Sequence, residues 1–226
     1  MKQPEVTTEH IISTSVRIPA GTVTLSGDLC LPKGTKGIVL FAHGSGSSRH
    51  SSRNQFVANI IQTAGMGTLL FDLLTPEEGF VDEQTRHLRF DIALLCHRLQ
   101  DATEWVKDSA ATRDLRVGYF GASTGAAAAL LAAASQGEAI GAVTSRGGRP
   151  DMAGESLAKV VAPTLLIVGG RDEVVLQLNE EAFEKLSCRK ELAIIPGATH
   201  LFPEPGALEE VANLAAHWFQ YYLLPQ

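Results

Sequence analysis

Cysteine is scarce in this chain: Cys30, Cys96 and Cys188 are the only three in 226 residues, far apart and in no C-x-x-C pair. An odd, scattered set excludes a disulfide framework and offers no zinc site, so the three read as small buried hydrophobes. Long apolar runs are also missing, and nothing approaches the roughly 18 residues of a membrane span. The first ten residues, Met1 to His10, are polar and lack the apolar core of a secretory signal, so the expected location is the cytoplasm. There is no basic run, and 19 Lys and Arg against 25 Asp and Glu give a net charge of −6, which argues against nucleic acid as a partner. With 45% hydrophobic and 19% charged residues and no repeat, linker or shift in composition, residues 1–226 are expected to form one globular domain, a monomer or homodimer.

What is present alternates between short apolar runs and helical patterns. Residues 11–31 read as two antiparallel strands at a sheet edge, ended by Pro32 and Gly34. Apolar runs at 37–42, 66–71, 115–120, 139–143, 165–168 and 192–195 read as buried strands. Helices are expected at 54–64, 126–134, 175–186 and 207–222. Leu88, Ile92, Leu95, Leu99, Ala102 and Val106, at steps of three and four, mark a long amphipathic helix. The segment with Pro76, Gly79 and several acids reads as a polar loop, and 145–151 as a loop leading to a short helix that ends near Val160. The fold class expected is α/β, a mainly parallel sheet with antiparallel N-terminal strands and helices on both faces.

The stretch around which the chain is organised is Gly121-Ala122-Ser123-Thr124-Gly125, between an apolar run and a run of alanines. Strand, sharp turn and helix with a serine flanked by glycines is the pattern of a nucleophile elbow, in which only glycine fits beside the turn and the hydroxyl is pushed clear of the sheet. Ser123 is the candidate nucleophile. A serine hydroxyl needs a histidine to take its proton and a carboxylate to orient that histidine. Asp172 follows the strand 165–168 and two glycines, and His200 follows the strand 192–195 and a turn, in the order Ser, Asp, His. Glu173, Asp151 and Asp72 are rival acids.

Developing charge on a carbonyl oxygen needs donors already in place, and the amides of Thr124 and Ser45 are the candidates for the oxyanion hole. Gly44-Ser45-Gly46 does not complete a dinucleotide fingerprint, because Arg49 stands where the third glycine is needed, and no phosphate-cradling P-loop occurs. His43 and His50 read as loop histidines, His43 packing or bonding to backbone beside the oxyanion turn, rather than as metal ligands. No metal or organic cofactor is implied. Arg49 and Arg53 follow the oxyanion loop and Arg146 and Arg149 follow a later strand. Arg49 and Arg146 are therefore candidate substrate-binding residues for an anionic ester or lactone; the alternative is that these arginines pair with acids such as Asp151 or Asp91 and brace loops.

From Gly37 to Phe202 the chain resembles the α/β-hydrolase superfamily, and by size it is similar to the dienelactone hydrolase family within it. Founding members of that family carry cysteine in the elbow. With Ser123 there, the resemblance implies a serine esterase cleaving small carboxylic esters or lactones through an acyl-enzyme, rather than dienelactone as substrate. A peptidase or amidase of the same fold, or a binding protein without turnover, are the alternatives. Caps in this superfamily follow the strand after the elbow helix. About a dozen residues separate Val143 from the next helix, so no cap domain and an open, shallow pocket are expected. The stretches 43–54 and 145–154 resemble a subgroup sometimes joined to a phosphoribosyltransferase domain, for which this length leaves no room.

Overall fold

The computed structural model describes residues 13–224; the expectations for the polar start of the chain and for residues 11 and 12 lie outside them. The edge hairpin is β1 (Ser13–Ala20) and β2 (Val23–Cys30), antiparallel in the register Ser13 opposite Cys30. Then follow β3 (Gly37–Ala42), α1 (Ser52–Thr63), β4 (Gly67–Phe71), α2 (Pro76–Thr85) and α3 (Ile92–Asp108). The elbow joins β5 (Arg116–Ala122) to α4 (Thr124–Gln136). The chain closes with β6 (Ile140–Arg146), β7 (Thr164–Gly169), α5 (Glu173–Lys185), β8 (Lys190–Ile195) and α6 (Ala207–Leu223).

The eight strands form one sheet in the order β1-β2-β4-β3-β5-β6-β7-β8, parallel from β4 onward. Strands 37–42 and 67–71 are buried along their whole length, as expected where helices cover both faces. On one face α1 and α6 pack through Val57, Ile61, Val211 and Phe219 over Val39 and Phe120; on the other α3 and α4 pack through Leu95, Leu99 and the alanines of α4 over Leu40 and Tyr119. Connections run outward in opposite directions from β3, so the carboxyl ends of β3 and β5 bound a crevice where the strand order reverses, the place where this architecture binds ligands.

Two expectations are corrected. The acidic segment after β4 is a helix, α2, not a loop. Thr75 caps it, its hydroxyl accepting the Glu78 amide while the Glu78 carboxylate accepts the Thr75 amide, and Pro76 occupies the first turn. Strand β6 runs three residues past Val143, so Ser145 and Arg146 belong to the sheet and not to a loop; both are buried. The stretch 150–159 that follows is 3-10 helix, broken at Gly154. Of the cysteines, Cys30 and Cys96 are buried and Cys188 only partly so. No helix among the described residues is long and apolar enough to cross a membrane.

Candidate active site

Ser123 sits at φ 51°, ψ −121°, outside the regions open to most side chains, between the last residue of β5 and the first of α4. The strain is over-determined by its surroundings. A Cβ on Gly121 would lie 2.4 Å from Ala126 Cα, and one on Gly125 would lie 2.1 Å from the Ala42 carbonyl, so both elbow glycines are fixed by close approach. The Ser123 amide donates to Arg146 O at 3.3 Å and its carbonyl accepts the Arg149 amide at 3.0 Å, tying the elbow to the end of β6. Its hydroxyl makes no hydrogen bond among the described residues.

The loop after β3 meets the elbow from the other side. A Cβ on Gly44 would stand 3.0 Å from that of Ser123. Ser45 and Gly46 form the corner of a tight turn closed by Ser47 N to Gly44 O at 3.2 Å, and Gly46 takes the left-handed φ of 67° that such a corner requires. His43 holds this turn in place. Its Nε2 accepts the Leu73 amide (3.1 Å), so Nδ1 carries the proton and donates it to Gly44 O (2.9 Å). Burial holds the His43 pKa below its ordinary value, although the Gly44 carbonyl and the Asp72 charge pull the other way. The expectation that His43 is a backbone-bonded loop residue agrees with this geometry.

The acid and the histidine meet across the ends of β7 and β8. Gly170 N bonds Ile195 O (2.9 Å) and Arg171 N bonds Ala198 O (2.9 Å), which locks the two turns together. Asp172 Oδ2 accepts from His200 Nδ1 at 2.6 Å, leaving Nε2 as the ring nitrogen free to take a proton. Gly147 brings the histidine to the elbow, since a Cβ there would lie 3.2 Å from His200 O. Of the rival acids, Asp72 pairs with Arg49 and Asp151 with Arg149, and Glu173 is exposed in the first turn of α5.

A cavity of about 520 Å³ opens beside Ser45 and Thr124, the residues whose amides are the candidate oxyanion donors. Leu73, Leu74 and Leu95 give it an apolar side, and α2 walls it with Thr75, Pro76 and Gly79. The expected loop left this wall out, although the Thr75-Pro76-x-Glu78 capping pattern was there to announce it. Asp82 fastens α2, accepting from Arg89 N (3.0 Å) and Nε (2.6 Å). Glu204, by contrast, carried no local signal. Its Oε1 accepts the amide (3.1 Å) and hydroxyl (2.6 Å) of Thr199, bracing the turn that carries His200.

The arginines behave differently from one another. Arg49, a candidate substrate-binding residue, is engaged by acids: its guanidinium pairs with Asp72 and, through Nε at 3.2 Å, with Asp28, and its amide donates to Asp72. Arg149 forks onto Asp151 at 2.8 and 2.7 Å, as the bracing alternative held, whereas Asp91 caps α3 instead. Arg146 is buried on the α1 and α6 side of the sheet and does not line the 520 Å³ cavity.

A family model described as the dienelactone hydrolase family matches residues 29–222. A crystal structure of a dienelactone hydrolase from Anabaena variabilis ATCC 29413 is 57% identical, superposes with a TM-score of 0.93, and the alignment covers 95% of this chain and 99% of that one. Est1E from Butyrivibrio proteoclasticus, at 16% identity and a TM-score of 0.77 over 92% of this chain and 98% of that one, shares the fold. Two proteins of Mycobacterium tuberculosis, from strains CDC 1551 / Oshkosh and H37Rv, are 58% identical over 204 residues and bear the name phosphoribosyl transferase. The match takes in 90% of this chain and 45% of each of them, so the chain spans about half the length of these relatives. The fold, the match over 29–222 and the 57% identity agree: the chain belongs to the dienelactone hydrolase family.

Proposed function

We propose that residues 1–226 act as one serine hydrolase domain that cleaves small carboxylic esters or lactones. The carrying observation is the 2.6 Å bond from His200 Nδ1 to Asp172, together with the strained elbow that holds Ser123 clear of the sheet. His200 Nε2 takes the Ser123 proton as Oγ attacks the carbonyl carbon. The amides of Thr124 and Ser45 receive the oxyanion. The tetrahedral intermediate collapses as His200 protonates the leaving alcohol, and the acyl group stays on Ser123. A water molecule, deprotonated by His200, then attacks the acyl-enzyme and releases the acid. Asp172 keeps Nδ1 protonated and stabilises the imidazolium that forms.

The apolar side of the 520 Å³ cavity suits a short acyl chain. The test is labelling with a fluorophosphonate, followed by rates on a panel of p-nitrophenyl esters and aminoacyl amides. Labelling confined to Ser123 with ester turnover supports the reading. Faster cleavage of amides would make the protein a peptidase, and absence of labelling would make it a binding protein.

A further inference from the structure

Among the described residues, Arg146 and Arg53 have no counter-ion. Arg146 ends β6 at 7% exposure, its Cζ 5.8 Å from the centre of the Phe120 ring, and its buried Nη1 finds no hydrogen-bonding partner there. Arg53, half-buried in the first turn of α1, has a buried Nε without a hydrogen-bond partner, as Arg49 and Arg98 do, but unlike them it has no carboxylate of the described residues within ion-pair distance. Burial first, and the charge of Arg53 second, bring the Arg146 pKa down to about 10. Elsewhere the buried and half-buried guanidiniums are matched: Arg49 with Asp28 and Asp72, Arg89 with Asp82, Arg98 with Glu78. Glu204 and Glu209 border the groove on the α6 side of Arg53, yet neither forms an ion pair with it; Glu204 gives Oε1 to Thr199, and its buried Oε2 has no hydrogen-bond partner among the described residues. A guanidinium buried and unpaired like that of Arg146, with the half-buried charge of Arg53 acting on it, is costly, and a bound anion removes the cost.

Arg53 also lines a depression of about 330 Å³ whose other walls include Gly46, Ser47, Ser48, His50 and Ser52. It lies over the amino end of α1, a 12-residue helix with no acidic residue in its first turn, where unpaired amides favour an anion. Serine hydroxyls and a guanidinium fork are donors of the kind phosphoryl oxygens accept. A phosphoryl group carries roughly −1.5 to −2 at pH 7 and so matches two guanidiniums, which a carboxylate does not. Gly46, Ser47 and Ser48 line both this depression and the cavity beside Ser45 and Thr124. We propose that the serine-rich turn and Arg53, backed by Arg146, bind a phosphoryl group next to the candidate reaction centre.

Binding is measured with inorganic phosphate in the Ser123→Ala protein, so the outcome does not depend on the esterase reading. About 10 mM phosphate, compared with sodium chloride at equal ionic strength, is expected to raise Tm by at least about 3 °C, and Arg53→Met to abolish the rise. Arg146→Met is expected to be at least as stable as its parent in phosphate-free buffer, because an uncompensated charge is removed; a loss of stability there would assign Arg146 to packing and remove it from the site. No shift beyond that of chloride, or an undiminished shift in Arg53→Met, overturns the proposal. A second arm, in the protein with Ser123 intact, compares a phosphorylated ester with an uncharged ester of the same acyl group. A tenfold preference for the first that Arg53→Met erases assigns the phosphoryl group to the substrate. Equal rates with phosphate binding retained assign the site to free phosphate.

Discussion

Asp172 heads α5 without capping it; its carboxylate turns instead to His200, where Oδ2 accepts the Nδ1 proton at 2.6 Å. A helix-capping aspartate would spend its oxygens on the amides of its own first turn. Here Asn at 172 would present an amide N–H to Nδ1, reversing the tautomer and leaving Nε2 protonated and unable to act as base. Asp172→Asn is therefore expected to lower kcat on p-nitrophenyl acetate by about four orders of magnitude with KM little changed. Glu173→Gln, one position on, should leave both within twofold.

Ser123→Ala and His200→Ala should each lower kcat by roughly six orders of magnitude, and the double variant should be little worse than either, since nucleophile and base act as one unit. Losses that multiply would place the two residues in separate steps. Neither change removes a side-chain hydrogen bond that holds the core together, so Tm should stay within a few degrees.

Most of the frame that positions these residues was legible in the sequence, because it rests on signals that act locally. The elbow glycines, the apolar strands and the order Ser, Asp, His depend on close approach and on period, which neighbouring residues already encode. The edge of the cavity was not legible on the same grounds. Helix α2 has little apolar face, so the hydrophobic period that marked α3 was missing, and only the Thr75 and Glu78 cap at its start announced it. The partners of the arginines were not legible for a different reason. Whether Arg49 faces substrate or Asp28 depends on a pairing between residues 21 positions apart, across strands, that no local pattern reports.

The glycines of the site and of its wall should respond in opposite ways to alanine. A Cβ at Gly125 would lie 2.1 Å from the Ala42 carbonyl, a backbone atom that cannot yield, so Gly125→Ala should fail to fold or lose several kcal/mol by urea unfolding. Gly79 lies inside α2 with nothing within 4 Å of the methyl that alanine would add, and Gly79→Ala should add about 0.5–1 kcal/mol.

His43 makes the loop after β3, the proposed oxyanion loop, sensitive to acid. Its folded pKa lies below the ordinary 6.5 because burial disfavours the charged ring, so the unfolded chain takes up the proton first. The stability it contributes is complete above pH 6.5 and is lost as the pH falls below that value towards the depressed folded pKa. Protonation also removes the acceptor for the Leu73 amide. Wild type should lose Tm between about pH 7 and pH 5.5 more steeply than His43→Gln, whose side chain has no proton to gain. Parallel slopes would show that other groups govern this range.

Asp82 tests whether α2 is a wall of the cavity or merely lies near it. Its side chain is 4% exposed and holds the Arg89 amide and guanidinium, while Glu78 on the same helix pairs with Arg98 at 2.8 Å. Removing the carboxylate leaves Arg89 without its partner beside the cavity and frees the carboxyl end of α2, which has few other contacts with the body of the protein. Ser123, Asp172 and His200, the proposed triad, are on other elements and should be untouched. Asp82→Ala is therefore expected to raise KM for butyrate and longer p-nitrophenyl esters by roughly tenfold, an effect of about 1.4 kcal/mol on binding, with kcat on the acetate ester nearly unchanged. An equal fall in kcat for every chain length would instead mean that α2 supports the reacting groups themselves, and unchanged kinetics would mean that the acyl chain does not occupy the cavity beneath it.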